Sequence, residues 1–225
     1  MIANLRHSPL FYQMSPEDIQ GCIACSQSQL VTYQKDQLIF SQRDIPQKLL
    51  VLVRGMVVVG NDTPSGRRSI VATLDQPGEV FGEVFLFLNK GSYDHYAQAL
   101  APSTVLQMPK EYLHQPCEEH CRYHARLVAN LLNILSQKAY YLNQKLQILS
   151  CATLRQKIAR VLLQQSDPDG RVVLAMNREE LADFLGTTRP SLSRELMRMQ
   201  EEGLLRVQRR EVQILDLAAL QTAQI

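Results

Sequence analysis

The sequence predicts an α+β chain with an N-terminal antiparallel β-roll, a long helix and a C-terminal winged helix-turn-helix. Three observations predict it. Short β-branched runs split by turn residues fill the stretch from Leu30 to about Met108. Apolar residues then step by four and three, in strict alternation, from Val128 to Leu149. Two short helical patterns joined at Gly186 precede two strand-like runs around Gln208 to Arg210. At 225 residues the chain has room for two small domains, each with its own core. The expected division is a roll over 1–115, the long helix over 116–150 and the winged unit over 151–225.

The elements follow in order. Ser15 before Pro16 and Glu17 reads as a helix start, with Ser as the N-cap and Pro in the first turn, and the helix runs to about Ser26. Leu49 to Val53, Met56 to Val59 and Ser69 to Leu74 read as strands. The breaks are Arg54-Gly55, the run from Asn61 to Gly66 and the run from Gln76 to Gly78. In the long helix Val128, Leu132, Leu135, Ala139, Leu142, Leu146 and Leu149 form a heptad seam. A parallel register would join two copies of the chain. The neighbouring stripe Leu127, Leu131 and Ile134 would pack the same helix onto the roll. The alternative is one broad stripe buried within a monomer. Thr153 caps a further helix to Gln165, the run from Ser166 to Gly170 is a turn, and Val172 to Ala175 is a short strand.

Composition narrows the function classes. No apolar run is long enough to span a bilayer. The N-terminus lacks the apolar core of a signal peptide, so a cytoplasmic location without membrane partners is expected. The formal net charge is +2, and residues 151–225 carry eleven Lys and Arg against ten Asp and Glu. Bulk basicity therefore does not point to nucleic acid, and any such binding must rest on where the arginines sit. Five cysteines in a chain expected to be cytoplasmic suggest thiols, metal ligands or redox groups before a disulfide framework.

The arginines sit on one helix. Asn177 and Glu180 fit a capping box, with Leu181, Ala182 and Leu185 on the inner face of the helix they start. Gly186 makes the turn, and Leu192, Leu196 and Met199 form the inner face of the second helix. That leaves Arg189, Ser193 and Arg194 on its exposed N-terminal side. Arginine bonds bidentately to guanine O6 and N7, the commonest specific contact in the major groove. The hydroxyls of Thr187, Thr188 and Ser191 suit phosphates, and Arg198, Arg209 and Arg210 suit the DNA backbone. Double-stranded DNA is the expected partner.

Taken together, the β-rich half, the heptad helix and the winged unit resemble the Crp/Fnr superfamily of bacterial transcription regulators. The closest similarity is to a group common in anaerobic Firmicutes, through Leu142 to Lys145 and Arg189 to Leu196. The resemblance implies a cyclic-nucleotide-binding-like roll, a homodimer, a pseudo-palindromic operator and RNA polymerase as a further partner. It carries base reading onto Arg189 and Arg194. The run Gly78 to Glu83 resembles the family's phosphate-cassette opening, and Leu52 to Val57 its early hairpin turn. The implied effector pocket comprises Gly82, Glu83, Tyr93, Asp94, Leu142 and Asn143. Two departures matter. Members that bind cyclic AMP carry an Arg-Ser pair at the positions held here by Tyr93 and Asp94, and an aspartate repels a phosphate. Cyclic AMP is therefore not expected, and Glu83 reads as a turn residue before a ribose ligand. Pro190 replaces a glutamate that could accept from cytosine, so the half-site should differ from that of the cyclic-AMP receptor.

The sensor chemistry stays open at this level. Cys22 and Cys25 lie three apart on the first helix, and His114, Cys117, His120, Cys121 and His124 recur at steps of three and four or adjacent to one another. The metal candidates are Cys117, Cys121, His124, Cys22 and Cys25, for zinc, iron, haem or an iron–sulfur cluster. The alternatives are small buried thiols and a solvated helix start. A regulator sensing metal or redox state through these groups is the alternative to small-molecule sensing. A cupin-like enzyme is the remote alternative, since His95 is the sole histidine of the β-rich stretch. No enzymatic activity is expected.

Overall fold

A computed structural model describes residues 2–62, 68–88, 91–114 and 122–222. The chain forms two compact units, Met1–Gln137 and Lys138–Ile225. The first contains helices α1 (Ile2–Leu5) and α2 (Pro16–Cys25), then strands β1 (Gln29–Tyr33), β2 (Leu38–Phe40), β3 (Lys48–Arg54), β4 (Val57–Asp62), β5 (Arg68–Leu74) and β6 (Val80–Phe81). Helix α3 (Glu83–Phe87), strands β7 (Tyr96–Ala99) and β8 (Ser103–Pro109) and helix α4 (Lys110–His114) follow. Helix α5 (Arg122–Leu149) begins in the first unit and ends in the second. The second unit continues with α6 (Leu154–Gln165), β9 (Arg171–Val173), α7 (Arg178–Phe184), α8 (Arg189–Glu201), β10 (Leu205–Gln208), β11 (Glu211–Ile214) and α9 (Leu217–Thr222).

The roll is two antiparallel sheets, ordered β1-β8-β3-β6 and β2-β7-β4-β5. Strand β3 shows why its sequence is a continuous apolar run and not an alternating one. Leu50 and Leu52 enter a core with Phe40, Val57, Phe81, Tyr93 and Val105. Leu49, Val51 and Val53 enter another with Leu10, Phe11, Ile19, Leu127, Leu131 and Ile134. Successive side chains of a strand point to opposite faces, and here both faces are covered. The β3–β4 turn needs Gly55, whose φ is +107° and where a Cβ would collide with Ser103 and the Pro102 carbonyl.

The early part of α5 belongs to the roll's core through Leu127, Leu131 and Ile134, the stripe expected to hold it there. Asn130 lies buried beside them and donates to the Leu10 and Tyr12 carbonyls at 3.0 and 2.9 Å. The heptad positions behave otherwise. Val128 and Leu135 are half-buried, while Leu132, Leu142 and Leu146 stand 59, 62 and 63% exposed, with Ala139 and Leu149 exposed too. The two compact units part within this helix, at Gln137 and Lys138.

In the second unit the strand expected through Ala175 stops at Val173, where Leu174 N turns to the Arg210 carbonyl. β9, β11 and β10 form a three-stranded antiparallel sheet beside the helices. Ile158, Val161, Leu162, Leu181, Leu185, Leu192, Leu196 and Met199 share its core.

Candidate nucleic-acid interface

Helix α7 starts as its sequence demands. The Asn177 side chain accepts from the Glu179 and Glu180 amides, and Glu180 accepts from the Asn177 amide at 2.7 Å. Gly186 makes the turn with φ of +65°. Thr188 caps α8, accepting from the Ser191 amide, and Pro190 falls in the first turn, where a missing N–H costs nothing. Leu192, Leu196 and Met199 are buried, so the opposite face, with Arg189, Ser193 and Arg194, is exposed. Arg194 Nη2 lies 3.4 Å from the Ser191 hydroxyl, which also receives the Thr188 hydroxyl at 3.0 Å. These two hydroxyls, expected to face phosphates, form a small network at the helix start. Thr187 is half-buried. Arg198 is exposed and 3.7 Å from Glu195, and Arg209 and Arg210 are exposed at the hairpin between β10 and β11.

Two arginines escaped the sequence reading. Arg155 on α6 holds the back of α8. Its Nε reaches Glu195 at 2.6 Å, and its Nη1 and Nη2 reach the two Glu202 oxygens at 2.7 and 2.8 Å. The bonds to Glu202 and then Glu195 keep the guanidinium more firmly protonated than usual, and Glu202 titrates below its ordinary range because Arg155 donates to it. A three-way fork of this kind fixes direction as well as distance. Arg178, in the first turn of α7, donates from Nη2 to the Arg209 carbonyl at 3.1 Å, and its Nη1 is buried without a hydrogen-bond partner. Burial lowers its pKa. With Asn177, Arg209 and Arg210 it lines a hollow of 380 Å³ beneath the hairpin. A cation opposing the helix dipole was the available signal.

The candidate effector residues are divided between the two units. Glu83 and Tyr93 are buried in the roll, Gly82 starts α3 and Asp94 is exposed. Leu142 and Asn143 belong to the second unit and are exposed there. Tyr93 stacks on Phe40 at 3.9 Å between ring centroids, and Phe85 meets it edge-on at 5.3 Å. Of the metal candidates, Cys117 and Cys121 lie outside the described residues. Cys22 is buried and receives the Tyr112 hydroxyl at 3.9 Å, Cys25 is half-buried, and His124 Nε2 is 2.7 Å from the Tyr112 carbonyl. Among the described residues no three His, Cys, Asp or Glu side chains gather as a metal would need. Nor is any described helix long and apolar enough to cross a membrane.

Known proteins align with this layout. The family model for a cyclic nucleotide-binding domain matches residues 30–120, and that for a Crp-like helix-turn-helix domain matches 156–223. The chain belongs to the Crp/Fnr superfamily of regulators. One relative of this superfamily, the cyclic AMP receptor protein of Thermus thermophilus, is 29% identical over 96% of this chain and 97% of its own. The transcriptional regulator LdrP of the same organism is 28% identical over 84% of this chain and 93% of its own. The structure of a CooA mutant from Carboxydothermus hydrogenoformans, 21% identical, shares the fold with a TM-score of 0.54 over 90% of each chain. Crp/Fnr members of this plan are DNA-binding transcription regulators with an effector-sensing domain.

The superfamily's roll raises the question of a cyclic nucleotide, and the residues present do not suit one. At the two positions where the resemblance implies Arg-Ser, a buried neutral ring and an exposed carboxylate stand instead. An anionic phosphate taken out of water needs a cation or several donors.

Proposed function

We propose that this protein is a homodimeric, sequence-specific transcription regulator that binds a pseudo-palindromic operator under control of an effector sensed by its roll. One observation carries the reading. On α8 the apolar face is buried, and the arginine face is presented to solvent, firmly held from behind by Arg155. Arg189 and Arg194 read base edges, Ser193 lies between them, and Thr187, Thr188, Ser191, Arg198, Arg209 and Arg210, joined by Arg178, meet the backbone.

A single short helix reads few bases, so such modules work in pairs set one helical turn of DNA apart, roughly 34 Å. The exposed leucines 132, 142 and 146 supply the surface for that pair. The effector biases how two α5 helices pair, and that pairing sets the two α8 helices on DNA, a coupling through one two-state element. The protein acts in the cytoplasm, with RNA polymerase as its further partner, and is not an enzyme. Cyclic AMP, after which the Thermus relative is named, is not the effector proposed.

The test uses duplexes that the protein itself selects from a randomised library. Arg194→Ala is expected to weaken binding by about 1–3 kcal/mol and to relax preference at one base position per half-site. Unchanged affinity and preference would show that α8 does not enter the groove.

A further inference from the structure

We propose that Tyr93 determines what the roll can sense: its ring fills the seat of the cyclic phosphate, so this sensor takes no cyclic nucleotide. The inference deepens the sensor half of the reading above and does not depend on DNA binding.

The geometry is that of a plug. Tyr93 is 5% exposed, and its ring lies nearly parallel to Phe40, 16° from coplanar at 3.9 Å. Phe85 closes the edge at 5.3 Å and Phe81 lies behind Phe40 at 6.4 Å. The rings come right up to the start of α3. A Cβ at Gly82 would touch Leu50, Phe40 and Tyr93 at 3.6 Å each. The backbone holds the ring in place as well, because the Tyr93 amide donates to the Asp44 carbonyl at 3.1 Å. A nucleotide could enter only by turning Tyr93 out and wetting Phe40 and Phe81, which the hydrophobic effect opposes.

Charge opposes it too. Among the described residues, the ionisable groups near this ring include the carboxyls of Glu83, Asp44 and Asp94, the Tyr93 phenol and the His95 imidazole, which lies 5.7 Å from the Phe85 ring. Burial, assisted by Asp44, pushes that phenol up to about 12, so it is neutral at any physiological pH. The single negative charge that a cyclic phosphodiester shares over its two free oxygens would find neither a guanidinium nor an ammonium from Tyr93 or Asp94.

Calorimetry and melting curves on the full-length protein test this with cyclic AMP and cyclic GMP at about 1 mM, enough to reveal even a weak site. No saturable heat and an unchanged melting temperature are expected. Saturable one-to-one binding of either nucleotide to the wild type would overturn the proposal. Tyr93→Phe keeps the ring and should melt with the wild type. Tyr93→Ala should melt lower and be partly restored by p-cresol, the tyrosine side chain as a free molecule, as apolar engineered cavities accept matching ligands. Absence of that rescue would mean that the ring fills no defined seat. If Tyr93→Ala does not fold, Tyr93→Leu takes its place, and a melting temperature equal to that of Tyr93→Phe would sink the plug.

Discussion

The two units present their candidate residues in opposite ways. In the C-terminal unit Arg189, Ser193 and Arg194 stand exposed on a helix whose other face is buried. In the N-terminal unit Glu83 and Tyr93 are inside a core, while Asp94 lies outside it. A surface that reads a long stiff polymer must be presented, and local helical periodicity is enough to present it. A seat for a small molecule must be concave, and its shape depends on which rings from distant strands turn inward. Divergence can therefore leave the output legible while rewriting the input, and family membership speaks more strongly for DNA than for any effector.

The contrast is tested most severely along α5, whose early part is buried in the roll and whose later part is not. Leu142→Glu combined with Leu146→Glu should leave the roll's melting intact, because neither side chain belongs to a core. It should yield a monomer in sedimentation and weaken operator binding at least ~100-fold, since paired sites gain 10²–10⁴ from linkage. A variant that still sediments as a dimer would place the seam elsewhere.

Arg155→Ala should have the next largest effect. It removes three charge-assisted bonds that are partly exposed, so about 1–3 kcal/mol in urea unfolding of the C-terminal unit is expected. Lysine has no fork and should recover less than half of the loss. Full recovery by Arg155→Lys would reduce the triad to simple charge pairing.

The smallest effect concerns pH. The Tyr93 phenol titrates higher in the folded chain than its ordinary value near 10. A raised folded-state value means that the neutral form is favoured by folding. Its contribution is complete below about pH 10 and is lost as pH rises through about 12. Tyr93→Phe should therefore show a flatter loss of stability across that window, read as urea midpoints. Parallel curves for the two proteins would argue against the buried phenol.

The sequence disclosed what short-range rules govern. The three caps at Ser15, Thr153 and Asn177, the turn at Gly186 and the inner face of α8 all follow from spacing within one or two turns, and each stands as expected. The stripe Leu127, Leu131 and Ile134 was legible for the same reason. What stayed hidden is long-range. Arg155 meets partners 40 and 47 residues away, and nothing near it in sequence marks them. The stack of Tyr93 on Phe40 joins segments more than fifty residues apart. Arg178 places a cation against the α7 dipole, but the Arg209 carbonyl it meets lies 31 residues away.

Asn130 has a consequence for how the protein is made. Its amide satisfies the Leu10 and Tyr12 carbonyls across 120 and 118 residues of chain. The strand β1 likewise waits for β8. A ribosome adds about 5–20 residues per second, so the segment around Leu10 stays without these partners for roughly 6 to 24 s. During that interval Leu10 and Phe11 belong to no finished core, and this apolar segment is left for holding chaperones to shield until the long helix has left the exit tunnel.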